Sequence, residues 1–502
     1  MRLPFPERIP FVPVFYFAGI LCIIQMMQKT SAIFSLCCFF YIIVATIAFN
    51  VAGGFTRTSG AFIFFNSTLS LILALCVKAY LGEPADSNLS SPILTITVYL
   101  AGMCMMLFAA YFSRRVAPRK ALLADMVTPT NMQTATVGSL VMGILFGFAG
   151  YVLPSGPGSV VSALNQLNRF LLLAIILGVI NSVRRSGGRR STNLPVLLSA
   201  CYMFYVGVVS YSKEGMFAPF ACWFLAAASV RFRVSRPQLL GLTLAILFMF
   251  RYLVPYSQYG RTFKDVSGEV NLSTNLSLLS NLGYVREQYL ETSRDAYEDR
   301  ILGYYNTPQG LFDRLQMVSI DDAIINHTEL FGTFGLYPMV ASIENLVPHF
   351  IWKDKPAFYS GNVYAHEVGV LGADDDSTGV SFSSTATSYH LWGWKGIFFL
   401  APALWFFLFY IFDSLCGDIR KAPWGLLVLV LYTHAAPEAD AGTIVYMCYF
   451  TAIIIIFAAV FGAYVMPVIG TFLIGPEGIA IRKGGPVRSI RARLIPSPSP
   501  KT

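Results

Sequence analysis

Apolar residues fall along this chain in long runs. They cover 9–26, 32–52, 60–81, 92–112, 134–154, 160–181, 194–211, 215–230 and 237–254, and after a gap 394–412, 423–437 and 443–466. An α-helix needs on the order of 20 apolar residues to cross a bilayer, with about 17 as the working minimum. The pattern predicts an all-α polytopic membrane protein with about twelve transmembrane helices, nine in 1–254 and three in 394–466. The 37 residues from Leu194 to Val230 must hold two crossings, so the Ser212-Lys213-Glu214-Gly215 turn between them sits at or just below an interface.

The polar gap, 255–393, is too long for an ordinary loop and is expected to fold as a mostly helical extramembrane cap. Thr307-Pro308 reads as a helix start, an N-cap followed by proline at the first helical position. Leu311, Leu315, Val318 and Ile324 then share roughly one face. A second apolar stretch, 336–351, suits packing on the membrane surface. Residues 353–389, rich in Gly, Ser, Asp and Pro, read as loop with short helical turns. No internal repeat is found, and the basic tail 467–502 is expected to be partly disordered.

Composition agrees with a membrane protein. Only 13% of the 502 residues are charged and 55% are hydrophobic, whereas soluble domains carry about 25% charge. The net charge of +9 does not point to nucleic acid once its distribution is read. Arg57, Arg114, Arg115, Arg119, Lys120, Arg184, Arg185, Arg189, Arg190, Arg231, Arg233, Arg236, Arg420 and Lys421 lie in alternate linkers. Adding Arg2, Arg8 and the basic tail accounts for 22 of the 36 Lys and Arg. Short basic loops are cytoplasmic, which places both termini inside and 255–393 outside. That segment holds 17 acids against 8 bases, a formal −9. The nine cysteines lie in or beside apolar runs without metal or redox spacing, so disulfides, zinc and iron–sulfur clusters are not expected. The first run lacks a small-residue cleavage site and reads as a retained span.

Charges near the membrane are costly and tend to mark sites. Arg169 lies near the outer end of the sixth span, Lys213 and Glu214 in the tight turn, and Arg251 and Arg261 around the exit of the ninth span. Four cations, Arg169, Lys213, Arg251 and Arg261, thus gather on the side that the positive-inside bias should deplete. Such a group suits a diphosphate, because guanidinium binds phosphate bidentately and lysine acts as a point charge. Singly, Arg169, Arg251 and Arg261 are also explained as interfacial anchors, and Lys213 as half of a Lys213–Glu214 pair at a hairpin tip. Arg314, beside Asp313, is a weaker fifth candidate and equally suits a solvated ion pair. His327, His349, His366, His390 and His434 all fall on the outer side, and His366 and His390 lie in the glycine-rich stretch returning to the membrane. Asp374-Asp375-Asp376 would suit sugar hydroxyls or a divalent cation, though a solvated turn explains it as well.

In their order, Ser212-Lys213-Glu214-Gly215, Arg251 and Arg261, Ile351-Trp352-Lys353-Asp354-Lys355-Pro356, Gly361-Asn362-Val363-Tyr364, His366-Glu367-Val368-Gly369, Ser377-Thr378-Gly379-Val380-Ser381, Tyr389 and Gly393-Trp394-Lys395-Gly396 resemble the Wzy-type oligosaccharide repeat-unit polymerases, relatives of the O-antigen ligases. The resemblance covers mainly 160–412. It implies a glycosyltransferase of the bacterial inner membrane that polymerises undecaprenyl-diphosphate-linked oligosaccharides at the periplasmic face. The product would be an O-antigen, capsule or exopolysaccharide, made without metal or cofactor. It further implies Arg169, Lys213, Arg251, Arg261 and Arg314 as diphosphate binders and a loop base among His366, Glu367 and His390. The acidic loop Asp374, Asp375 and Asp376, with Tyr389, would receive the acceptor glycan. A flippase and a chain-length regulator are the implied protein partners.

Two other readings stay open. An O-antigen ligase would use the same donor but transfer a finished chain to another acceptor. A twelve-span transporter fits the span count but not the large cap, and no two-half repeat supports it.

Overall fold

The computed structural model describes residues 1–128, 130–153, 164, 166–263, 272–298, 303–347, 351–352, 358–375 and 378–475. Among the described residues there is no strand; one isolated antiparallel bridge joins Arg2 to Arg233. The apolar runs become α1 (Phe11–Met27), α2 (Ala32–Ala52), α3 (Thr58–Leu81), α4 (Pro92–Val116), α5 (Met132–Val152), α6 (Phe170–Arg185), α7 (Leu194–Val209), α8 (Lys213–Ser229) and α9 (Arg236–Phe263). Then come the cap helices α10 (Leu272–Ser280), α11 (Leu282–Glu298), α12 (Val318–Phe331), α13 (Tyr337–Glu344) and α14 (Ser360–Glu367). The chain returns through α15 (Ser384–Cys416), α16 (Trp424–Glu438) and α17 (Ala441–Ile474).

Seven helices, α2, α3, α4, α5, α9, α15 and α17, are long and apolar enough to cross a membrane. The remaining five on expected spans, α1, α6, α7, α8 and α16, are 15 to 17 residues long. Helices pack α2 on α4, α4 on α15, α3 on α16, and α5 on α6 and α17. The α5–α17 crossing brings backbones into contact. A Cβ on Gly138 would lie 2.0 Å from the Met466 carbonyl, and one on Gly470 2.0 Å from that of Thr134. Such close approach replaces the hydrophobic drive that lipid cannot supply.

The two ends of the bundle differ in polar chemistry. Away from the cap, buried Asp413 on α15 accepts bonds from Thr58 Oγ1 at 2.7 Å and Ser59 Oγ at 2.6 Å, tying α15 to α3. There the Met1 amine donates to Val234 O at 2.9 Å, Arg420 meets Glu7 at 3.7 Å, and Arg114 Nη1 donates to Val51 O at 2.7 Å. These contacts bring the basic linkers around Arg2, Arg114, Arg233 and Arg420 to one end.

At the other end, the cap is attached in two places. Leu278 of α10 and Val285 of α11 pack with Tyr211, Met216, Met249 and Tyr256. Ile320, Ile324 and Ile325 of α12 join Tyr364 of α14 against Val98 of α4 and Ala386, Tyr389 and Leu391 of α15. Two buried carboxylates fix the second attachment. Asp322 accepts bonds from Ser91 N at 3.1 Å, Thr95 Oγ1 at 2.7 Å and Ser90 N, so it caps the first turn of α4. Asp321 accepts from Ser383 N at 2.9 Å and from the Tyr99 hydroxyl.

The cap departs from expectation in several places. Thr307-Pro308 does not begin a helix: Gly310 turns the chain with φ +63°, Gln309 N donates to Asp313 Oδ2 at 2.8 Å, and α12 starts only at Val318. The stretch read as loop contains α14 and the first turns of α15. A kink at Trp392 and Gly393, the latter with φ +59°, separates Ser384–Leu391 from the apolar part of α15 that follows. Residues 353–357 of that stretch, with Lys353, Asp354, Lys355 and Pro356, lie outside the described residues. Within the 336–351 stretch Tyr337–Glu344 forms α13, with Tyr337, Val340 and Ile343 exposed; residues 348–350 lie outside the described residues. The tail begins later than expected, since α17 runs to Ile474; residues 476–502 lie outside the described set.

Candidate functional site: a cationic cavity with an apolar wall

The turn between α7 and α8 is built to present Lys213. Gly207 and Gly215 touch backbone to backbone, since a Cβ on Gly207 would lie 2.5 Å from the Gly215 carbonyl carbon. Tyr211 takes a left-handed conformation, φ +52°, and Ser212 Oγ then caps α8 by accepting from Gly215 N at 3.1 Å. Lys213 is thereby the first residue of α8. The buried Tyr211 ring leaves no room for a side chain at Gly260, where a Cβ would lie 2.2 Å away. Its carbonyl accepts from Ser257 Oγ at 2.6 Å and from Arg261 Nε at 3.4 Å. Arg261 is thus anchored beside the turn that carries Lys213.

Between these elements lies a cavity of about 840 Å³. Arg169 enters it from the N-cap position of α6, Lys213 from α8, Arg261 from the end of α9, and Arg314 from the cap turn before α12. Lys213 is repelled by both Arg314 and Arg261 and attracted by Glu438, so these groups share one field. Among the described residues, no carboxylate pairs with any of the four cations at salt-bridge distance. Ser212, Glu214, Gln258, Ser381, His434 and Glu438 complete the polar lining.

The rest of the wall is apolar. Phe64, Phe65, Leu69, Phe217, Phe220, Phe224, Leu242, Ile246, Phe250, Leu427, Leu431 and Ile454 come from α3, α8, α9, α16 and α17. Helix α9 is the loosest part of it. Only 28% of its most apolar window is buried, against 44–61% in the other six long helices, and Leu240, Leu244 and Leu247 are exposed. The same helix therefore presents apolar side chains both to the cavity and to the outside of the bundle.

The expected site residues divide sharply. Arg169, Lys213, Arg261 and Arg314 meet in the cavity, but Arg251 does not. It is exposed, with its guanidinium over the Tyr252 ring at 5.7 Å and Nε donating to Tyr252 OH at 3.4 Å. On α9 the cavity is lined by Leu242, Ile246, Phe250, Val254, Gln258 and Arg261, a three-to-four-residue recurrence that Arg251 misses by one position.

None of the expected bases lines the cavity either. His390, 1% exposed, has Thr328 Oγ1 at 2.8 Å from Nδ1 and Glu367 Oε2 at 3.0 Å from Nε2, the latter off hydrogen-bond alignment. It is enclosed by Tyr364 and Phe334, and burial pushes the Glu367 carboxyl up. His366 Nε2 lies 3.0 Å from Asp375 O, and Asp375 Oδ1 accepts from Thr378 N at 2.9 Å. These contacts fold the acidic loop on itself, and neither Asp374 nor Asp375 borders the cavity. Asp376 lies outside the described residues. Tyr389 is buried, donates to Glu329 Oε2 at 3.3 Å and packs on Trp394. Among the described residues no three His, Cys, Asp or Glu side chains gather closely enough to hold a metal ion.

Two titratable groups do line the cavity: His434, which the sequence places on the outer side but ranks below His366 and His390, and Glu438, which it did not single out. His434 and Glu438 lie one turn apart on α16, Nδ1 to Oε2 at 3.5 Å, and Ser381 Oγ donates to the same Glu438 oxygen at 3.2 Å. A signal for them was present: Leu427, Leu431, His434 and Glu438 form one helical stripe.

Comparison with protein-family models, curated proteins and solved structures gives no match for this chain.

Proposed function

We propose that this protein is a membrane glycosyltransferase that joins undecaprenyl-diphosphate-linked oligosaccharide repeat units into a surface polysaccharide. The observation that carries the reading is the two-ended cavity. Among the described residues its polar end gathers four cations with no carboxylate at pairing distance, and its apolar wall includes the largely uncovered α9.

Charge supports the same ligand. The four basic side chains outnumber the two lining carboxylates, Glu214 and Glu438, and a lipid–diphosphate–sugar diester is dianionic. During transfer negative charge grows on the departing diphosphate, and guanidinium groups held in place before reaction stabilise it without reorganising. The apolar wall would take the first isoprene units, and the cap, attached to the bundle in two places, would receive the acceptor glycan.

The reading places the chain in the bacterial inner membrane with twelve crossings and both termini inside. The basic end of the bundle then faces the cytoplasm and the cavity's polar end the periplasm.

Deletion of the gene tests it. Cells lacking the protein should carry single, unpolymerised repeat units, restored to polymer by the intact chain but not by an Arg261→Ala, Arg314→Ala double variant. Unchanged polymer length on deletion would overturn the reading. Long chains accumulating on undecaprenyl diphosphate would indicate a ligase.

A further inference from the structure

The cavity supplies a proton acceptor for the transfer in a place where the cap histidines do not reach. We infer that His434 is the base that deprotonates the acceptor sugar hydroxyl and that Glu438 is its positioning partner; the inference rests on the glycosyl-transfer reading above.

Geometry comes first. His434 and Glu438 both line the cavity that holds Arg169, Lys213, Arg261 and Arg314, whereas His366, Glu367 and His390 are committed elsewhere. The His434 side chain is 54% exposed in the unliganded cavity, so its ring is open to an incoming group. Glu438 lies against Nδ1, and a carboxylate there favours the tautomer that leaves Nε2 free to accept a proton. Ser381, from the segment leading into α15, fixes the Glu438 carboxylate from its other side at 3.2 Å. Two more charges bear on the pair: Glu214 on His434, and Arg314 on Glu438. The acid that steadies an imidazolium and a cation proposed to hold the leaving diphosphate are therefore electrostatic neighbours.

The step balances without a further reactant. The acceptor hydroxyl oxygen forms a bond to the donor anomeric carbon while that carbon's bond to the diphosphate oxygen breaks. The bonding pair leaves with undecaprenyl diphosphate, whose added negative charge faces the four cations. The hydroxyl proton passes to His434, and the imidazolium is held by Glu438 until it loses the proton to water.

The test uses the full-length protein in lipid nanodiscs. Binding is read with undecaprenyl diphosphate, and turnover with lipid-linked oligosaccharide extracted from cells lacking the gene. His434→Ala is expected to bind undecaprenyl diphosphate within about 3-fold of wild type while elongation falls by about 10²–10⁴-fold, the usual contribution of a general base. Glu438→Gln should lower elongation less and shift the acid limb of the pH–rate profile, with Glu438→Asp restoring part of it. A wild-type-like elongation rate and pH profile in His434→Ala, alongside an active wild type, would overturn this inference and leave the function standing. A wild type that neither binds nor elongates would overturn both. If His434→Ala lost binding as well as turnover, the residue would be a binding or structural group, and the assignment as base would fail.

Discussion

Replacing Arg261 by alanine removes the most firmly positioned cation of the cavity, because its Nε is tied to Tyr211 O at 3.4 Å and it comes from a helix end packed on the buried Tyr211 ring. A charge-assisted hydrogen bond contributes about 1.5–3 kcal/mol, and a guanidinium fork makes up to two with one phosphate. The repulsion between Arg261 and Lys213 is present with and without ligand, so it cancels from the difference in affinity and the lower end of the two-bond range applies. The net loss is then about 3 kcal/mol, or roughly 100-fold in affinity. Titration of undecaprenyl diphosphate into nanodisc-embedded protein measures it directly, with Arg251→Ala as the internal comparison. Arg251 lies over Tyr252 outside the cavity, so its loss should change affinity by less than about 2-fold. The reasoning is refuted if Arg261→Ala binds within about 3-fold of wild type, or if Arg251→Ala weakens binding as much.

Two further outcomes follow from the scaffold. Gly260→Ala would place a methyl 2.2 Å from the Tyr211 ring and is expected to destabilise the outer end of α9 by about 1–3 kcal/mol, seen as a lower melting temperature together with weaker lipid binding; an unchanged melting temperature would show that the turn yields freely. Asp321, buried where α12 meets α4 and α15, has its carboxyl pushed up by burial to about 6 from 3.8. A raised carboxyl favours the folded state while protonated, so this contribution is full below about pH 4 and is lost as pH rises through about 6, by about 3 kcal/mol. Protection of α12 against hydrogen exchange, taken relative to the intrinsic rate at each pH, should therefore fall between those pH values in wild type but not in Asp321→Asn, and pH-independent protection in wild type would contradict it.

The membrane part was legible in outline because apolar run length is a strong signal: each run overlaps a helix among the described residues, seven of them long and apolar enough to cross a membrane. What failed did so for local reasons. The start of α15 was hidden because Ser384, Thr385, Thr387 and Ser388 are polar yet buried, with Thr387 Oγ1 returning its bond to Ser383 O at 2.9 Å. Helix periodicity reads such a segment as loop. At Thr307 the cap-and-proline signature was sound in isolation, but Gly310 in the left-handed region ends any helix there. For the site, closeness in sequence to the membrane exit grouped Arg251 with Arg261, while the stripe from Leu242 to Arg261 separates them. Histidines were weighed by the loop around them, which favoured His366 and His390. His434 was ranked below them because it stands in an apolar run, although its place on the Leu427–Glu438 stripe aims it at the cavity.

Under the proposed function one cavity would hold a lipid diphosphate by its cations and the lipid tail by its apolar wall, which a cryo-electron microscopy map of the nanodisc-embedded protein with undecaprenyl diphosphate would show. Diphosphate density is expected among Arg169, Lys213, Arg261 and Arg314, with the isoprenoid running past Phe220, Phe224 and Ile246 along α9. Density for the lipid at another surface, with this cavity empty at saturating ligand, would contradict it.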